Sequence, residues 1–587
     1  MRARESWLTI LTVLVIATGQ AGGQSVPTVA DVSHGDVTWA TVDLETDVTG
    51  DPPPDVWFYL NPAGTPASPT VPENWAIEVS AGSGTGTISE SAWSLEAGVT
   101  YYCRARATNS EGSVWSENSV SLTTSTTVPP EVTLHANHNN WTSEGNPAPP
   151  MRLYYDASNY IDLPVDAGGW YDFSRLGPTP ITFNLGGYTL SSDGAYRYEH
   201  NPHMKLKLNG GDIIGTDATF YISEHDYWEY PGYLYVRGAA NMSVGEINTR
   251  YNHNNYGSRS YAAYVELGTE TSPLTGNLRI DRLRGGSYDL DHGVTRHYIY
   301  ARGDVKIENS SGTWGDVEAR GKEVAGDYHI LHVYQGGAFR CRDILSMLAL
   351  DGNDGRSLHG RITLYGNYYA MDDPSGDCEV RDIKVIHGVW WAEPQDITVR
   401  GYRNVSINTI QCTCEGYDPG HTDRTYLRRN ATRIINVAND ITLSGVIPGT
   451  ESSIDLWADP RNSGSYGHGN LTMKCGRSIT MAALNKERIN ELRLSVTLDG
   501  TVTKKDWMWV WIQSEPLGLT VNEGLKRVTA GFTALDSHVY YTDDGGALSG
   551  EYDIYVGGTD TGWDLKELAF GAEPPPVPKP GTMLMIW

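Results

Sequence analysis

At 587 residues the chain is longer than one ordinary hydrophobic core serves, so several domains or one long repeat array is expected. With 64 glycines, 35 tyrosines and 18 tryptophans against 20% charged residues, it suits short strands joined by many turns, not long helices. A formal charge of −27 sets the average field against nucleic acid, anionic membranes and polyanions, leaving neutral glycans, cations and proteins as partners.

The chain opens MRARESWLTILTVLVIATGQAGGQS, with Arg2 and Arg4 before an apolar run from Trp7 to Ala17 and then the small residues Ala21, Gly22 and Gly23. This is the layout of a secretory signal peptide over residues 1–23, and the run is shorter than the roughly 18 apolar residues a membrane anchor needs. Export to the extracellular space or cell surface is expected, with no membrane insertion of the mature form. Six cysteines in so long an exported chain do not make a disulfide scaffold.

Residues 95–109 read LEAGVTYYCRARATN, and Gly112 comes three residues later. The stretch resembles the F-strand region of fibronectin type III modules. Leu95, Gly98, Tyr101, Cys103, Ala105, Ala107, Asn109 and Gly112 take the family's places, while Ala97 and Val99 stand where the family has Pro and Thr. The resemblance implies a β-sandwich over residues 24–124, with the Tyr101 hydroxyl bonded back to the chain just upstream. Cys103 then faces inward as a small hydrophobe. Earlier strands are expected at Val37–Leu44, Val56–Leu60 and Trp75–Val79. TTSTTVPP leaves the module, and residues 125–180 are read as a linker and the N-terminal cap of a repeat region.

From Ile181 onward, pairs of apolar residues two apart return at a recognisable interval. The leading pairs are Ile181/Phe183, Leu206/Leu208, Leu234/Val236, Val265/Leu267, Ile299/Ala301, Leu331/Val333, Ile362/Leu364, Ile397/Val399, Ile435/Val437, Leu471/Met473, Leu492/Leu494 and Leu519/Val521. Second pairs keep step six to eight residues later, among them Met242/Val244, Leu278/Ile280, Val305/Ile307, Phe339/Cys341, Val405/Ile407, Ile441/Leu443 and Ile479/Met481. Residues two apart share a strand face, so each pair is an inward dyad, and stacked coils join the dyads into ladders. The pattern resembles the right-handed parallel β-helix of the pectate-lyase-like superfamily and covers residues 181–571. The predicted fold is therefore all-β, a fibronectin type III-like sandwich followed by a long right-handed parallel β-helix; a β-sandwich array is the alternative. Cys341, Cys378, Cys412, Cys414 and Cys475 fall on inward parities.

A coil of three short strands needs only about 22 residues, so coils of 31 to 38 extrude loops. Those at 224–232, 250–260, 284–297, 351–360, 371–377, 415–430 and 457–469 are rich in Tyr, Trp, Asp, His and Arg. Stacked along one edge they would form a wall suited to a polysaccharide or cell-surface glycan, since aromatic rings pack on sugar C–H groups and carboxylates bond hydroxyls. Tyr227, Trp228, Tyr230, Tyr288 and Tyr417 are the glycan-binding candidates. If the wall is catalytic, a hydrolase needs paired carboxylates and a lyase needs a base beside a cation. Asp372 and Asp373, the cluster His421, Asp423 and Arg424, and His468 are the candidates. Gly467-His468-Gly469 is similar to a short motif of the polygalacturonase family, but the Asp pair lies 94 residues before it and no Arg-x-Lys comes after it.

No cofactor or bound metal is predicted. Structural calcium is compatible with the charge, although Asp351-Gly-Asn353-Asp354-Gly lacks the full spacing of a calcium loop. Trp507, Trp509 and Trp511 alternate with Met508, Val510 and Ile512, the pattern of a strand covered on both sides. EPPPVPKPGTMLMIW resembles the start of a PEP-CTERM sorting signal with Lys579 in place of Glu, and residues 572–587 are read as a Pro-rich remnant. The leading expectation is a non-enzymatic glycan- or partner-binding surface protein. A polysaccharide hydrolase or lyase, and a self-assembling fibre or surface protein, are the alternatives.

Overall fold

The computed structural model describes residues 24–139, 148–191, 203–222, 233–249, 261–285, 293–321, 328–348, 357–369, 376–387, 391–392, 396–414, 431–443, 453–458, 469–475, 478–481, 489–502, 509–512, 528–530 and 548–552. It falls into two compact units, residues 1–128 with 175–179, and residues 129–174 with 180–587. The protein is all-β, with long parallel sheets of the kind that build a β-helix.

The first unit holds two antiparallel sheets. In one, Val42–Asp51 pairs with Ser25–Val29, Ser33–Val37 and Gly86–Ala92. In the other, Thr100–Asn109 pairs with Asp55–Asn61, Gly112–Trp115 and Val120–Thr123, and Asp55–Asn61 pairs in turn with Ile77–Ser83. Alternation places Val42, Leu44, Phe58, Leu60, Tyr101, Cys103 and Ala105 in one core cluster. Tyr101 makes the expected back-bond, its hydroxyl accepting the Glu96 N–H at 2.9 Å. Cys103 is fully buried, and burial pushes its thiol up to about 12, so it is inert packing. On the outer face of the second sheet, Arg104 and Arg106 lie 5.9 and 5.7 Å from the Trp115 ring centre. Tyr101→Phe keeps the ring and removes the acceptor. Hydrogen exchange at the Glu96 amide is expected to accelerate about fivefold, the loss of a bond worth about 1 kcal/mol.

In the second unit the chain alternates between a 14-stranded and an 18-stranded sheet, and some coils give the latter two strands, as at Val305–Ile307 with Asp316–Gly321 and at Asp440–Leu443 with Ser453–Ala458. Along the 14-stranded sheet, Met204, Leu234, Val265, His297, Leu331, Ile362, Ile397 and Thr432 stand in one inward column. Leu206, Val236, Leu267, Ile299, Val333, Leu364, Val399 and Ile434 form the next. All sixteen are shut off from solvent. The 18-stranded sheet bends within each coil and supplies two further columns. One runs Ile213, Met242, Leu278, Val305, Phe339, Cys378, Val405 and Ile441; the other runs Phe220, Ile247, Leu283, Val317, Ile344, Ile383 and Ile410. Beyond Leu443 the backbone register continues through Leu471, Leu492 and Val528 and through Ile441, Ile479 and Val510.

Most apolar pairs fall in these columns as read, and four do not. Phe183 belongs to the 18-stranded sheet, because Thr182–Asn184 pairs with Glu131–Thr133 and with Ile213–Tyr221. Two other dyads sit one step earlier than the apolar pairs suggest, at Met204/Leu206 and His297/Ile299. In the fourth, Asn436 has a left-handed φ of 54°, which re-phases its strand, so Thr432 and Ile434 are the inward pair before it, Val437 is inward after it, and Ile435 is not. Leu519 and Val521 lie outside the described residues.

Just before the strands of the 18-stranded sheet, four successive coils carry an Asp or Asn that ties each to the next. Asp212 Oδ1 accepts the Asn241 N–H at 3.0 Å, Asn241 Oδ1 that of Asn277 at 2.7 Å, Asn277 Oδ1 that of Asp304 at 2.8 Å, and Asp304 Oδ1 that of Ala338 at 2.8 Å. The ladder satisfies turn amides that strand pairing leaves free. At the first edge, Met151–Tyr154 and Tyr160–Leu163 form a hairpin that pairs antiparallel with Glu131–Thr133. Cys341 and Cys378 are fully buried ladder residues whose thiols burial holds far above the ordinary range. Cys412, Cys414 and Cys475 lie on strands whose register is described.

Candidate functional site

The site residues predicted from sequence, Tyr227, Trp228, Tyr230, Tyr288, Asp372, Asp373, Tyr417, His421, Asp423, Arg424 and His468, all lie outside the described residues. So does the loop of Asp351, Asn353 and Asp354. The described chemistry is on the sheets themselves.

The strands His203–Lys207, Tyr233–Arg237, Tyr261–Leu267, Gly293–Ala301, Tyr328–Gln335 and Ser357–Tyr365 lie side by side in the 14-stranded sheet. Their inward residues alternate with outward ones, and many of the outward ones are aromatic, set among Lys205, Arg237, Glu266, Arg296 and Arg361. His203, Tyr233, Tyr264, Tyr298 and His332 succeed one another across five of these strands, with successive ring centres 4.6, 6.0, 5.3 and 5.3 Å apart. A second row starts two residues along, where Tyr300 stacks on Tyr334 at 5.1 Å and 12°, and Tyr365 lies a further 6.4 Å on. Tyr235 joins the first row 5.4 Å from Tyr264, and Trp170 lies 6.2 Å beyond Tyr235. Every one of these rings is half-buried, packed on neighbours on one side and open to solvent on the other.

Polar groups are set among the rings. The Tyr264 hydroxyl donates to Glu266 Oε2 at 2.7 Å, with the Arg237 guanidinium 3.3 Å from Oε1. The Tyr368 hydroxyl donates to Glu270, and its ring lies 4.7 Å from Tyr334. Arg400 lies 3.9 Å over Tyr365, and Arg237 4.8 Å over Trp170. Burial pushes the Tyr235 and Tyr300 phenols up to about 12, and raises Tyr264 with help from Glu266. The hydroxyls are thus protonated donors at neutral pH. Burial lowers His203 and His332 to about 4, so both rings are neutral there and add aromatic surface without charge.

The outer face of the 18-stranded sheet has the opposite character. Glu308 lies 3.5 Å from Arg279 and 3.7 Å from Arg340, and Arg340 is 2.6 Å from Glu379. Arg342 pairs with Asp316, and Arg381 with Asp343. These charges neutralise each other between coils, whereas the face of the 14-stranded sheet offers half-buried aromatic rings.

Among the described residues no group of three or more His, Cys, Asp or Glu side chains is placed to hold a metal ion. Inside the stack, His297 and His329 meet edge to face at 5.8 Å, and none of their four ring nitrogens has a hydrogen-bond partner.

Reading the overlong loops passes over the tyrosine face. Its signal was present in the segments YLYVR, YVEL, HYIYA and HVYQ, where Tyr or His alternates with the inward apolar residues. No family model, curated protein or solved structure matches the chain.

Proposed function

We propose that this is an exported or cell-surface glycan-binding protein that uses the tyrosine face of a right-handed, pectate-lyase-like β-helix as its binding surface. The fibronectin type III-like module serves as spacer or second contact. The observation that carries this reading is the pair of half-buried aromatic rows crossing six neighbouring strands, interspersed with protonated phenols, Glu266, Glu270 and exposed Arg296 and Arg361. Sugars need that mixture, because their C–H faces pack on rings while their hydroxyls exchange bonds with donors and carboxylates. Both carboxylates already accept a tyrosine hydroxyl, which suits fixed recognition groups better than an acid and base free to transfer protons. The antiparallel hairpin over the first strand withholds that edge from another copy, which favours display on a monomer over fibre growth.

The test is retention on a panel of immobilised polysaccharides, with product release measured in parallel. Wild type is expected to be retained by at least one without cleaving it. Tyr264→Ala should weaken retention about tenfold, which corresponds to about 1.4 kcal/mol. Cleavage of the retained polymer, or retention indifferent to Tyr264 and Tyr298, would contradict the proposal.

A further inference from the structure

We infer that the ligand of this face is an extended, unbranched, equatorially linked hexopyranose chain of the β-(1→4) kind, lying along the stacking direction with one sugar per coil. The inference rests on the proposed function and adds the ligand's linkage class and orientation. In the first aromatic row His203, Tyr233, Tyr264, Tyr298 and His332 lie on successive strands with ring centres 4.6, 6.0, 5.3 and 5.3 Å apart, the row stepping two residues sideways between Tyr264, which pairs with Arg296, and Tyr298. Neighbouring strands of a sheet lie about 4.8 Å apart, and an equatorially linked hexopyranose in extended form advances by nearly the same step. Such a chain keeps register with the rings over many sugars. An axially linked α-(1→4) chain advances less per sugar and coils, so it drifts out of step within a few units.

Direction comes from the same geometry. Across the stack a ring recurs on each of five successive strands, at tilts from 22° to 85°, whereas along a single strand only isolated pairs exist, such as Tyr233 with Tyr235 at 6.1 Å and 2°. A chain laid along a strand would meet two rings. Laid along the stack it meets five in the first row, and the offset second row of Tyr300, Tyr334 and Tyr365 continues beside it. The hydroxyls of Tyr264 and Tyr368, fixed by Glu266 and Glu270, flank that path. Affinity should therefore grow with chain length until the row is filled.

The experiment is titration calorimetry of the full chain with β-(1→4)-linked gluco-oligosaccharides from dimer to hexamer, beside α-(1→4)-linked ones of the same lengths. Hexamer is expected to bind at least about tenfold more tightly than dimer, with the α-linked series weaker at every length and not improving beyond trimer. Tyr298→Thr removes the fourth of the row's five rings while keeping a strand-forming residue. It should pull hexamer affinity down toward that of trimer, with circular dichroism confirming the fold. Tyr298→Phe, which keeps the ring, should retain the length dependence. Equal affinity at all lengths, or an α-linked series that binds as well, overturns the inference while the tyrosine face stays a glycan site. Absence of retention on the whole polysaccharide panel overturns the proposed function itself.

Discussion

Gly315→Ala is expected to destabilise the second unit by about 3 kcal/mol or more, the upper end of what overpacking costs. A Cβ built at Gly315 would stand 1.7 Å from the Asp281 carbonyl oxygen and 2.9 Å from its carbon. Those are backbone atoms of the preceding coil and have no rotamer through which to retreat. The Gly315 N–H also donates to the Ile307 carbonyl at 2.7 Å, so the residue cannot move away without giving up a turn bond. Gly312, three residues earlier, is the control. It has φ of +80° but nothing within 4 Å of its would-be Cβ, so Gly312→Ala should cost only the left-handed penalty of about 1 kcal/mol. Urea midpoints followed by circular dichroism should separate the two variants. Equal losses would mean that coil spacing at Gly315 is looser than described.

Acidification from pH 6.5 to 5 is expected to weaken the β-helix through its buried histidines. His297 and His329 are buried among apolar columns, and desolvation lowers both, His329 to about 3 from an ordinary 6.5. Above pH 6.5 both are neutral whether the chain is folded or not. Below it, the unfolded chain takes up protons that the folded one refuses, so stability falls progressively until the folded value is reached. For His329 this amounts to about 2 kcal/mol by pH 5, at about 1.4 kcal/mol per unit, and His297 acts in the same direction. The pairs Arg403 with Asp377 and Lys207 with Asp172 hold their carboxylates below the usual range, so their contribution is lost only in stronger acid. The double variant His297→Leu with His329→Leu should reduce the slope of the profile between pH 6.5 and 5 without abolishing it, because His203 and His332, which burial also lowers, act in the same window. Hydrogen exchange at the Ile299 and Leu331 amides reads it locally, and an unchanged slope would contradict it.

Strand parity was legible in the sequence because a period of two is local: Leu234/Val236, Leu331/Val333 and Val405/Ile407 occupy the inward columns as read. Parity failed where an inward position is not apolar. His297 and Thr432 are inward by register, and no hydrophobic pattern marks them. It failed again at Asn436, where one left-handed residue re-phases the strand. The Asp and Asn ladder left a readable trace in Gly276-Asn277-Leu278 and Gly303-Asp304-Val305, but an Asn before an apolar pair means little until the coils are in register.

The same limit hid the tyrosine face. Tyr264 and Tyr298 are 34 residues apart, and Tyr298 and His332 another 34, whereas His203 and Tyr233 are 30 apart. Only the pairing of Tyr264 with Arg296 and of Tyr298 with His332 decides which rings meet. Coils of unequal length carry no fixed period from which to infer that pairing. Length alone drew attention to loops, while the contacts that repeat lie on strands.

The face made by Tyr264, Tyr298 and their neighbours is the proposed glycan site. The most direct measurement is tyrosine fluorescence and calorimetric titration of the full chain with soluble polysaccharide, for wild type and for Tyr264→Ala with Tyr298→Ala. Saturable binding by wild type, lost at least about a hundredfold in the double variant with the fold intact, is the predicted result. Binding of equal strength in both would contradict the account and move the site elsewhere on the molecule.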